Sequence, residues 1–170
     1  MADEELQRYC AAMWARLVGG LALHTGDRLV AEDLAQETLV RLWQHWDRVA
    51  QHESIDAWVW TVALNLSRSK HRRRGAERRA NARLAARSLP VEDADAASVL
   101  AVRTAVAALP ERQRMAVVLR YYADLPVKEV AAVMGCAENT VSAHTHKALK
   151  HLDAHLGHTY TDIEEVVAHD

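Results

Sequence analysis

Three residues in the C-terminal third have the types and the spacing of two helices that cross at a tight turn. Ala131, Gly135 and Val141 lie at successive intervals of four and six residues. The small Ala131 would let the helices approach, Gly135 would permit a positive φ in the turn, and Val141 would anchor the second helix. The spacing predicts a helix-turn-helix over 127–149. An ordinary αα-hairpin with no DNA-binding role is the alternative.

The second helix of this motif would present one face to solvent, and the residue types on that face suit duplex DNA. Its inward positions are Val141, Thr145, Ala148 and Leu152. The small, polar and basic side chains then lie outside, where the second helix of such a motif enters the major groove. The predicted duplex contacts are Asn139, Ser142, Ala143, His146, Lys147 and Lys150.

A second candidate binding segment covers 56–74, where two tryptophans precede a basic run. Trp58 and Trp60 are two residues apart, so on a helix one can pack inward while the other lies nearer the surface. Aromatic rings beside Arg and Lys suit unpaired bases, which stack on rings while phosphates meet the cations. The alternative is that both tryptophans belong to the core and the basic run only solubilises the helix.

Charge is separated along the chain, although the net charge is only −2. The net charge is −5 over 1–67, +8 over 68–87, −3 over 88–98, +3 over 99–152 and −5 over 153–170. This pattern is compatible with two separate contacts to a polyanion, and a solvated helix surface would produce it as well.

Composition predicts that all of these segments are positioned by helices. The chain has 170 residues, of which 31 are alanine, 6 glycine and 3 proline. Alanine is the best helix former and turn residues are scarce, so we expect an all-α protein. Two cysteines are too few for a disulfide framework, and no apolar run reaches the ~18 residues needed to span a bilayer. The acidic start at residues 3–5 is unlike a secretory signal, so a cytoplasmic protein is expected.

The helical periods divide the chain into two small helical domains, 1–74 and 99–152, joined by a flexible linker, 75–98. The linker begins with glycine, contains Pro90 and has few large apolar residues, and an acidic tail at 153–170 follows the second domain. Gly19-Gly20 is expected to weaken the last turns of the first helix. The predicted helices are 4–24, 28–46, 56–73, 99–109, 110–122, 127–134 and 138–152, with a loop at 47–55.

Three stretches together resemble the extracytoplasmic-function (ECF) sigma factors of bacterial RNA polymerase, which contain only regions 2 and 4 of the sigma-70 superfamily. They are AEDLAQETLVRLWQHW (31–46), DAWVWTVALNLSRSKHRRR (56–74) and LPERQRMAVVLRYYADLPVKEVAAVMGCAENTVSAHTHKAL (109–149). The resemblance implies a sigma factor without enzymatic activity or cofactor. Such a protein binds the polymerase core and directs promoter recognition, melting and transcription initiation.

The resemblance also implies roles for single residues in region 2. Asp33, Gln36 and Glu37 match the family's contacts with the β′ clamp helices, and a solvated helix surface is the alternative. The loop 47–55 resembles the one that captures a flipped base of the minus-ten element. Ile55 replaces the family's usual Phe. The implied minus-ten contacts are Trp58, Trp60, Asn65, Arg68, Lys70, Arg72 and Arg73.

Region 4 would contact the β flap and read the minus-35 duplex, but it departs from the family pattern. The recognition helix reads Thr-Val-Ser-Ala-His at 140–144, where the family often has Thr-Val-Lys-Ser-Arg. Two charge-assisted contacts are lost, so recognition would be weaker or would depend on Asn139, His146, Lys147 and Lys150. An anti-sigma factor that covers the polymerase-binding faces is a further implied partner.

Two other functions are suggested by parts of this sequence, a LuxR-type regulator and a metal-binding protein. The C-terminal motif also resembles the helix-turn-helix of LuxR-type regulators, which would act without sigma activity, but 1–74 resembles no phosphoacceptor domain. His151 and His155 are one helical turn apart, which suits a metal, but no cysteine pair or suitably placed carboxylate joins them. We therefore predict no metal site. The absence of a long apolar run predicts no membrane insertion.

Overall fold

The computed structural model describes residues 2–80 and 94–156, with side chains described over 4–70 and 99–156. Within these ranges the secondary structure is entirely helical, which confirms the all-α prediction. The helices are α1 (Ala2–Thr25), α2 (Arg28–Gln44), α3 (Trp46–Val49), α4 (Ile55–Ala80), α5 (Ala94–Ala108), α6 (Glu111–Val117), a π-helical turn (Val118–Tyr122), α7 (Val127–Met134) and α8 (Glu138–Leu156).

The predicted linker 75–98 is partly helical at both ends. Helix α4 continues to Ala80, and α5 begins at Ala94. The rest of the predicted linker, 81–93, and the tail from 157 onward lie outside the described residues. We refer to α1–α4 as the N-terminal bundle and to α5–α8 as the C-terminal bundle.

A tight turn folds α2 back onto α1 in the N-terminal bundle. Gly26 has a positive φ of 73°, and its amide donates to the carbonyl of Ala22. Asp27 then caps α2, because its carboxylate accepts from the amide of Val30 at 3.1 Å. The α2 residues that point into the bundle are all buried, as the helical spacing of apolar residues in 28–46 predicts. They are Val30, Ala31, Leu34, Ala35, Thr38 and Leu42.

Helix α4 begins with a serine cap and packs through a different stripe from the predicted one. The hydroxyl of Ser54 accepts from the amide of Ala57 at 3.1 Å. The four-residue spacing of Trp58, Val62 and Leu66 predicts that these residues face the core, but all three are only half-buried. The fully buried stripe is Val59, Trp60, Ala63 and Leu64. This correction has a physical reason: α4 packs against α2 on one side and α7 on another, so apolar spacing alone does not select one face.

The C-terminal bundle contains the predicted helix-turn-helix, with its first helix at the predicted bounds. Gly135 ends α7 with φ 63° and ψ 44°, the left-handed conformation that glycine adopts without steric cost. The amide of Cys136 donates back to the carbonyl of Ala131 at 3.0 Å. Ala131 and Val141 are buried where the two helices meet. The predicted positive φ at Gly135 is therefore confirmed.

The two bundles pack against each other and share one hydrophobic core. Buried residues of α1, α2 and α4 belong to the same cluster as those of α6, the π-helical turn, α7 and α8. Two arginines cross the junction. Arg16 of α1 donates to the carbonyl of Ala123 at 2.6 Å, and Arg114 of α6 donates to the carbonyl of His24 at 2.7 Å. The sequence predicts two domains, but nothing in it predicts this contact between them.

Candidate nucleic-acid interface

The predicted duplex contacts lie together on the outer side of α8. All six residues are exposed, and we call them the duplex face: Asn139, Ser142, Ala143, His146, Lys147 and Lys150. Val141 and Ala148 on the opposite side have no exposed surface, so they fix the rotation of the helix about its axis. Among the described residues, Lys147 and Lys150 form no salt bridge. Their charges are therefore available to a polyanion.

The predicted strand contacts on α4 are arranged differently. We use the term strand face for Asn65, Arg68 and Lys70 together with the loop 50–54. Asn65 is exposed, and its amide oxygen accepts from Arg68 at 3.5 Å. Lys70 Nζ lies 3.0 Å from a carboxylate oxygen of Asp33. Both described cations of this face already have partners within the chain.

Two further predicted strand contacts fall in the last part of α4. Arg72 and Arg73 belong to the helix, but their side chains lie outside the described residues.

The two tryptophans of α4 have different environments. Trp60 has no exposed surface, and its ring packs where a side chain on Gly20 would otherwise stand. A ring in this position cannot stack on a base, so the prediction that Trp60 contacts DNA was wrong, and the ring belongs to the core. The indole nitrogen of Trp60 has no hydrogen-bond partner in the described part of the chain. Trp58 is half-buried at the edge of the core, which leaves its role as a strand contact open.

The predicted loop 47–55 is partly helical. Helix α3 occupies its first residues, and Ile55 already belongs to α4, so the open loop is 50–54. The start of α4 is tied to α1 by Asp56, which accepts from the Tyr9 hydroxyl at 2.6 Å and pairs with Arg16 at 3.2 Å. Burial and the contact with Asp56 raise the pKa of Tyr9, so its hydroxyl remains a donor at neutral pH. These contacts fix where the loop meets the bundle.

The predicted polymerase contacts lie on the outer surface of α2. Asp33, Gln36 and Glu37 are exposed, and Glu37 pairs with Arg41 at 3.0 Å along the helix. We call this surface the α2 face. The contacts predicted from the sequence do not include three apolar residues of this surface, Leu29, Val40 and Trp43.

Exposed apolar side chains stand at three positions of the α2 face. Leu29 is 72% exposed, Val40 44% and Trp43 68%. Positions 29, 33, 36, 40 and 43 recur at intervals of four and three, so they share one side of the helix. Val40 and Trp43 are neighbours on this side, and large exposed apolar side chains next to each other are typical of a protein-binding surface. The available signal was their helical register with the predicted acidic contacts.

The histidines near the end of α8 make ordinary polar contacts. His151 Nδ1 lies 2.9 Å from the side-chain oxygen of Gln113, and His155 Nδ1 lies 2.8 Å from the carbonyl of His151. Among the side chains described, at residues 4–70 and 99–156, no three metal-ligating groups lie together. Residues 2–80 and 94–156 contain no helix long and apolar enough to cross a membrane.

Comparison with known protein families identifies both bundles. The family model for sigma-70 region 2 matches residues 10–77, and the model for sigma-70 region 4 matches residues 100–152. These two regions, in this order, define a sigma factor of the sigma-70 superfamily.

Individual relatives show to which group of sigma factors the chain belongs. The chain is 31% identical over 141 residues to the ECF RNA polymerase sigma factor EcfG of Rhodopseudomonas palustris, covering 74% of this chain and 71% of that one. It is 32% identical over 133 residues to the ECF RNA polymerase sigma factor SigL of Mycobacterium tuberculosis, covering 75% of each chain. The chain belongs to the ECF sigma factors, and the LuxR-type alternative is not favoured.

Solved structures agree with the fold. The sigma factor RpoE from Bartonella quintana, crystallised with the anti-sigma factor NepR, matches with a TM-score of 0.81 at 23% identity, over 90% of this chain and 97% of that one. CnrH, in complex with the cytosolic domain of CnrY, matches with a TM-score of 0.68 at 19% identity, over 91% and 88% of the two chains. At these identities the likeness shows the fold alone.

Proposed function

We propose that this sigma factor reads promoter DNA through two separate faces and binds the polymerase core through a third, without catalysing a reaction itself. Residues 1–74 would act as region 2, residues 99–152 as region 4, and 75–98 as the linker. The observation that carries the proposal is the exposed duplex face of α8, held by the left-handed turn at Gly135. This geometry is the one in which a recognition helix docks in the major groove.

The residues of the duplex face would have two roles at the minus-35 element, contacts with base edges and contacts with phosphates. Asn139, Ser142 and His146 can reach base edges, because amide, hydroxyl and imidazole groups donate and accept hydrogen bonds in the groove. Lys147 and Lys150 lie further along α8 and suit phosphates, which supply affinity without sequence preference. The residues at 142–144 carry no Lys or Arg, so we expect a shallower salt dependence than the family pattern would give.

The strand face would hold the unpaired strand of the minus-ten element. Asn65 and Trp58 supply hydrogen bonding and stacking, Arg68, Lys70, Arg72 and Arg73 supply charge, and the loop 50–54 supplies a candidate pocket for a base. Unpairing costs a few kcal/mol, which these contacts must offset.

The α2 face would bind the polymerase core, with the β′ clamp helices as its partner, while the C-terminal bundle contacts the β flap. Asp33, Gln36 and Glu37 provide the polar contacts. Val40 and Trp43, further along the same side of α2, provide apolar contact area. Exposed aromatic residues are typical anchors of protein interfaces. This arrangement supports a mixed interface that is tighter than three polar residues alone would give.

An anti-sigma factor is a further proposed partner. One solved structure with the same fold is a complex of a sigma factor, RpoE, with the anti-sigma factor NepR. A protein that covers the α2 face would compete with the polymerase core. Because polymerase and promoter DNA are both cytoplasmic, the proposed function places the chain in the cytoplasm.

The test is transcription reconstituted with purified core polymerase on a library of promoter sequences. Defined start sites that require this chain would support the proposal, and their alignment would give both promoter elements. A chain that binds duplex DNA but neither binds the core nor changes its transcription would contradict it.

A variant pair tests the α2 face separately. We expect Gln36→Ala with Glu37→Ala, and independently Trp43→Ala, to weaken core binding by about 1–3 kcal/mol while circular dichroism stays unchanged. Arg28→Ala is the matched control, because Arg28 is exposed in the first turn of α2 and pairs with Glu32, and neither residue is among the proposed contacts. Equal core affinity in all four proteins would remove this surface from the interface.

A further inference from the structure

Two histidines near the end of α8 have the helical spacing that lets two rings bind one metal ion. His151 and His155 are four residues apart, and both side chains are exposed. Residues four apart on a helix are neighbours on its surface. The sequence predicts no metal site here, because no cysteine pair or suitably placed carboxylate accompanies the two histidines. The structure adds information that the sequence lacks, which is the orientation of both rings.

Each ring is held by a carbonyl oxygen, and at the same ring nitrogen. His151 Nδ1 lies 2.9 Å from the side-chain oxygen of Gln113 on α6, and His155 Nδ1 lies 2.8 Å from the backbone carbonyl of His151. A carbonyl oxygen only accepts, so the ring nitrogen is the donor in each hydrogen bond. In the neutral form of each ring the proton is then on Nδ1, and the lone pair that can bind a metal is on Nε2.

This arrangement is typical of histidines that bind metals in proteins. A metal-binding imidazole usually donates its second ring nitrogen to a carbonyl or carboxylate oxygen, which fixes the tautomer and the direction of the lone pair. Two different helices supply these acceptors, because Gln113 belongs to α6 and the carbonyl of His151 belongs to α8 itself. The fold therefore orients both rings, and binding a metal does not have to order them first.

The surroundings of the pair suit a cation that keeps part of its water. His155 lies in the last turn of α8, where the carbonyl groups of the helix end carry partial negative charge. Lys147, one turn before His151, opposes a cation, but its side chain is exposed and can turn away. No third metal-ligating group lies with the pair among the side chains described at 4–70 and 99–156, so water would complete the coordination.

We propose that His151 and His155 form a two-histidine site that binds a divalent transition metal ion through both Nε2 atoms, with water as the remaining ligands. Imidazole suits Cu²⁺, Ni²⁺ and Zn²⁺, and the affinity should be highest for Cu²⁺. Mg²⁺ prefers oxygen ligands and should not bind. Gln113 is a positioning residue, because it acts on the metal only through the ring of His151. The proposal does not depend on promoter recognition, since no DNA takes part in it.

Calorimetric titration with Ni²⁺ tests the pair directly. His151→Ala and His155→Ala should each weaken binding by about 100-fold or more, because a single imidazole loses the advantage of two linked ligands. The double variant should bind no more weakly than either single variant, because one substitution already abolishes chelation. His146→Ala is the matched control, because it removes an exposed histidine of α8 that is not four residues from either ligand, and its affinity should equal that of the parent. Parent-level affinity in either single variant would overturn the site.

Gln113 allows a test that a general attraction of metal to surface histidines would fail. Gln113→Ala should weaken Ni²⁺ binding by about 10–100-fold, as expected when a ligating histidine loses its hydrogen-bond acceptor. Gln113→Glu keeps an acceptor beside Nδ1 and should restore binding. Circular dichroism should be unchanged in both variants, because Gln113 is only half-buried. Equal affinity in the parent and in Gln113→Ala would overturn the positioning role.

Electron paramagnetic resonance of bound Cu²⁺ identifies the ligand atoms. We expect nitrogen couplings from two imidazoles in the parent, and from no more than one in His151→Ala and in His155→Ala. The chain has other histidines and two free thiols, at Cys10 and Cys136, where Cu²⁺ could bind instead. A spectrum that is the same in the parent and in both variants would show that Cu²⁺ binds at one of those places, and it would overturn the proposal.

Discussion

The duplex face on α8 and the strand face on α4 have similar side chains but opposite surroundings. The lysines of the duplex face are exposed, and neither pairs with a described carboxylate. On the strand face, Arg68 lies against α6 and Lys70 pairs with Asp33. Positive charge in the sequence therefore does not by itself identify a DNA-binding surface, because the sequence does not show which cations already pair with another part of the chain.

The largest effect is expected from a substitution in the core of α4, compared with one at its binding surface. Trp60→Ala should reduce the free energy of unfolding by about 3–5 kcal/mol, because it removes a fully buried ring. Trp58→Ala should cost about 1 kcal/mol, as expected for a half-buried side chain, and its main effect should be on promoter melting. Thermal unfolding gives the first comparison, and transcription from duplex and pre-melted promoters gives the second.

The outcome for Trp58 also decides between two roles. If Trp58→Ala unfolds as readily as Trp60→Ala, Trp58 is a core residue and stacking on a base loses its support. A stable variant that transcribes well only from a pre-melted template would place Trp58 in the melting step.

The next effect concerns the duplex face alone. Lys147→Ala should weaken binding to all minus-35 sequences alike and reduce the salt slope by about 1, because one phosphate contact is lost. Asn139→Ala should cost about 1–3 kcal/mol on the preferred sequence and change the ranking of sequences. Binding is measured over a range of salt concentrations on a set of duplexes. The reverse pattern, with Lys147 determining the ranking, would exchange the two roles.

A smaller effect is expected where the faces meet. Ser54→Ala removes the cap of α4 and the hydrogen bond to Glu129, so it should cost about 1 kcal/mol of stability. Ser54→Asp is the informative partner. It restores a cap but places a carboxylate against Glu129, so it should preserve α4 and loosen the contact with α7. Hydrogen exchange at the start of α4 and of α7 would distinguish the two outcomes.

The smallest effect is predicted for the exposed pair at the same junction. The side chains of Lys128 and Glu53 are 75% and 91% exposed, and solvent screens such pairs. Lys128→Ala should therefore change the free energy of unfolding by less than about 0.5 kcal/mol, as measured by thermal unfolding. A large loss would mean that surface charge holds the bundles together, in place of the shared core.

Local signals in the sequence predicted the helix-turn-helix well. The turn at Gly135 depends on one residue that tolerates a positive φ, and the register of α8 depends on Val141 and Ala148 within a few residues of it. The face of α4 was mispredicted because the helix has apolar residues on more than one side. Which of Trp58 and Trp60 is buried depends on where α1 and α7 lie, and no spacing within α4 contains that information.

The helical class and the residues of the duplex face could be predicted from the sequence, because helix period, capping and turn chemistry act over short distances along the chain. The order of the two sigma regions followed from the resemblance of three stretches to a known family. The relation between the bundles depends on tertiary packing. The pair Gly19-Gly20 reads in the sequence as a weak point of α1, yet α1 continues through it to Thr25. Its meaning appears only when Tyr122, about a hundred residues away in sequence, lies across it, because a close approach depends on the shapes of both surfaces.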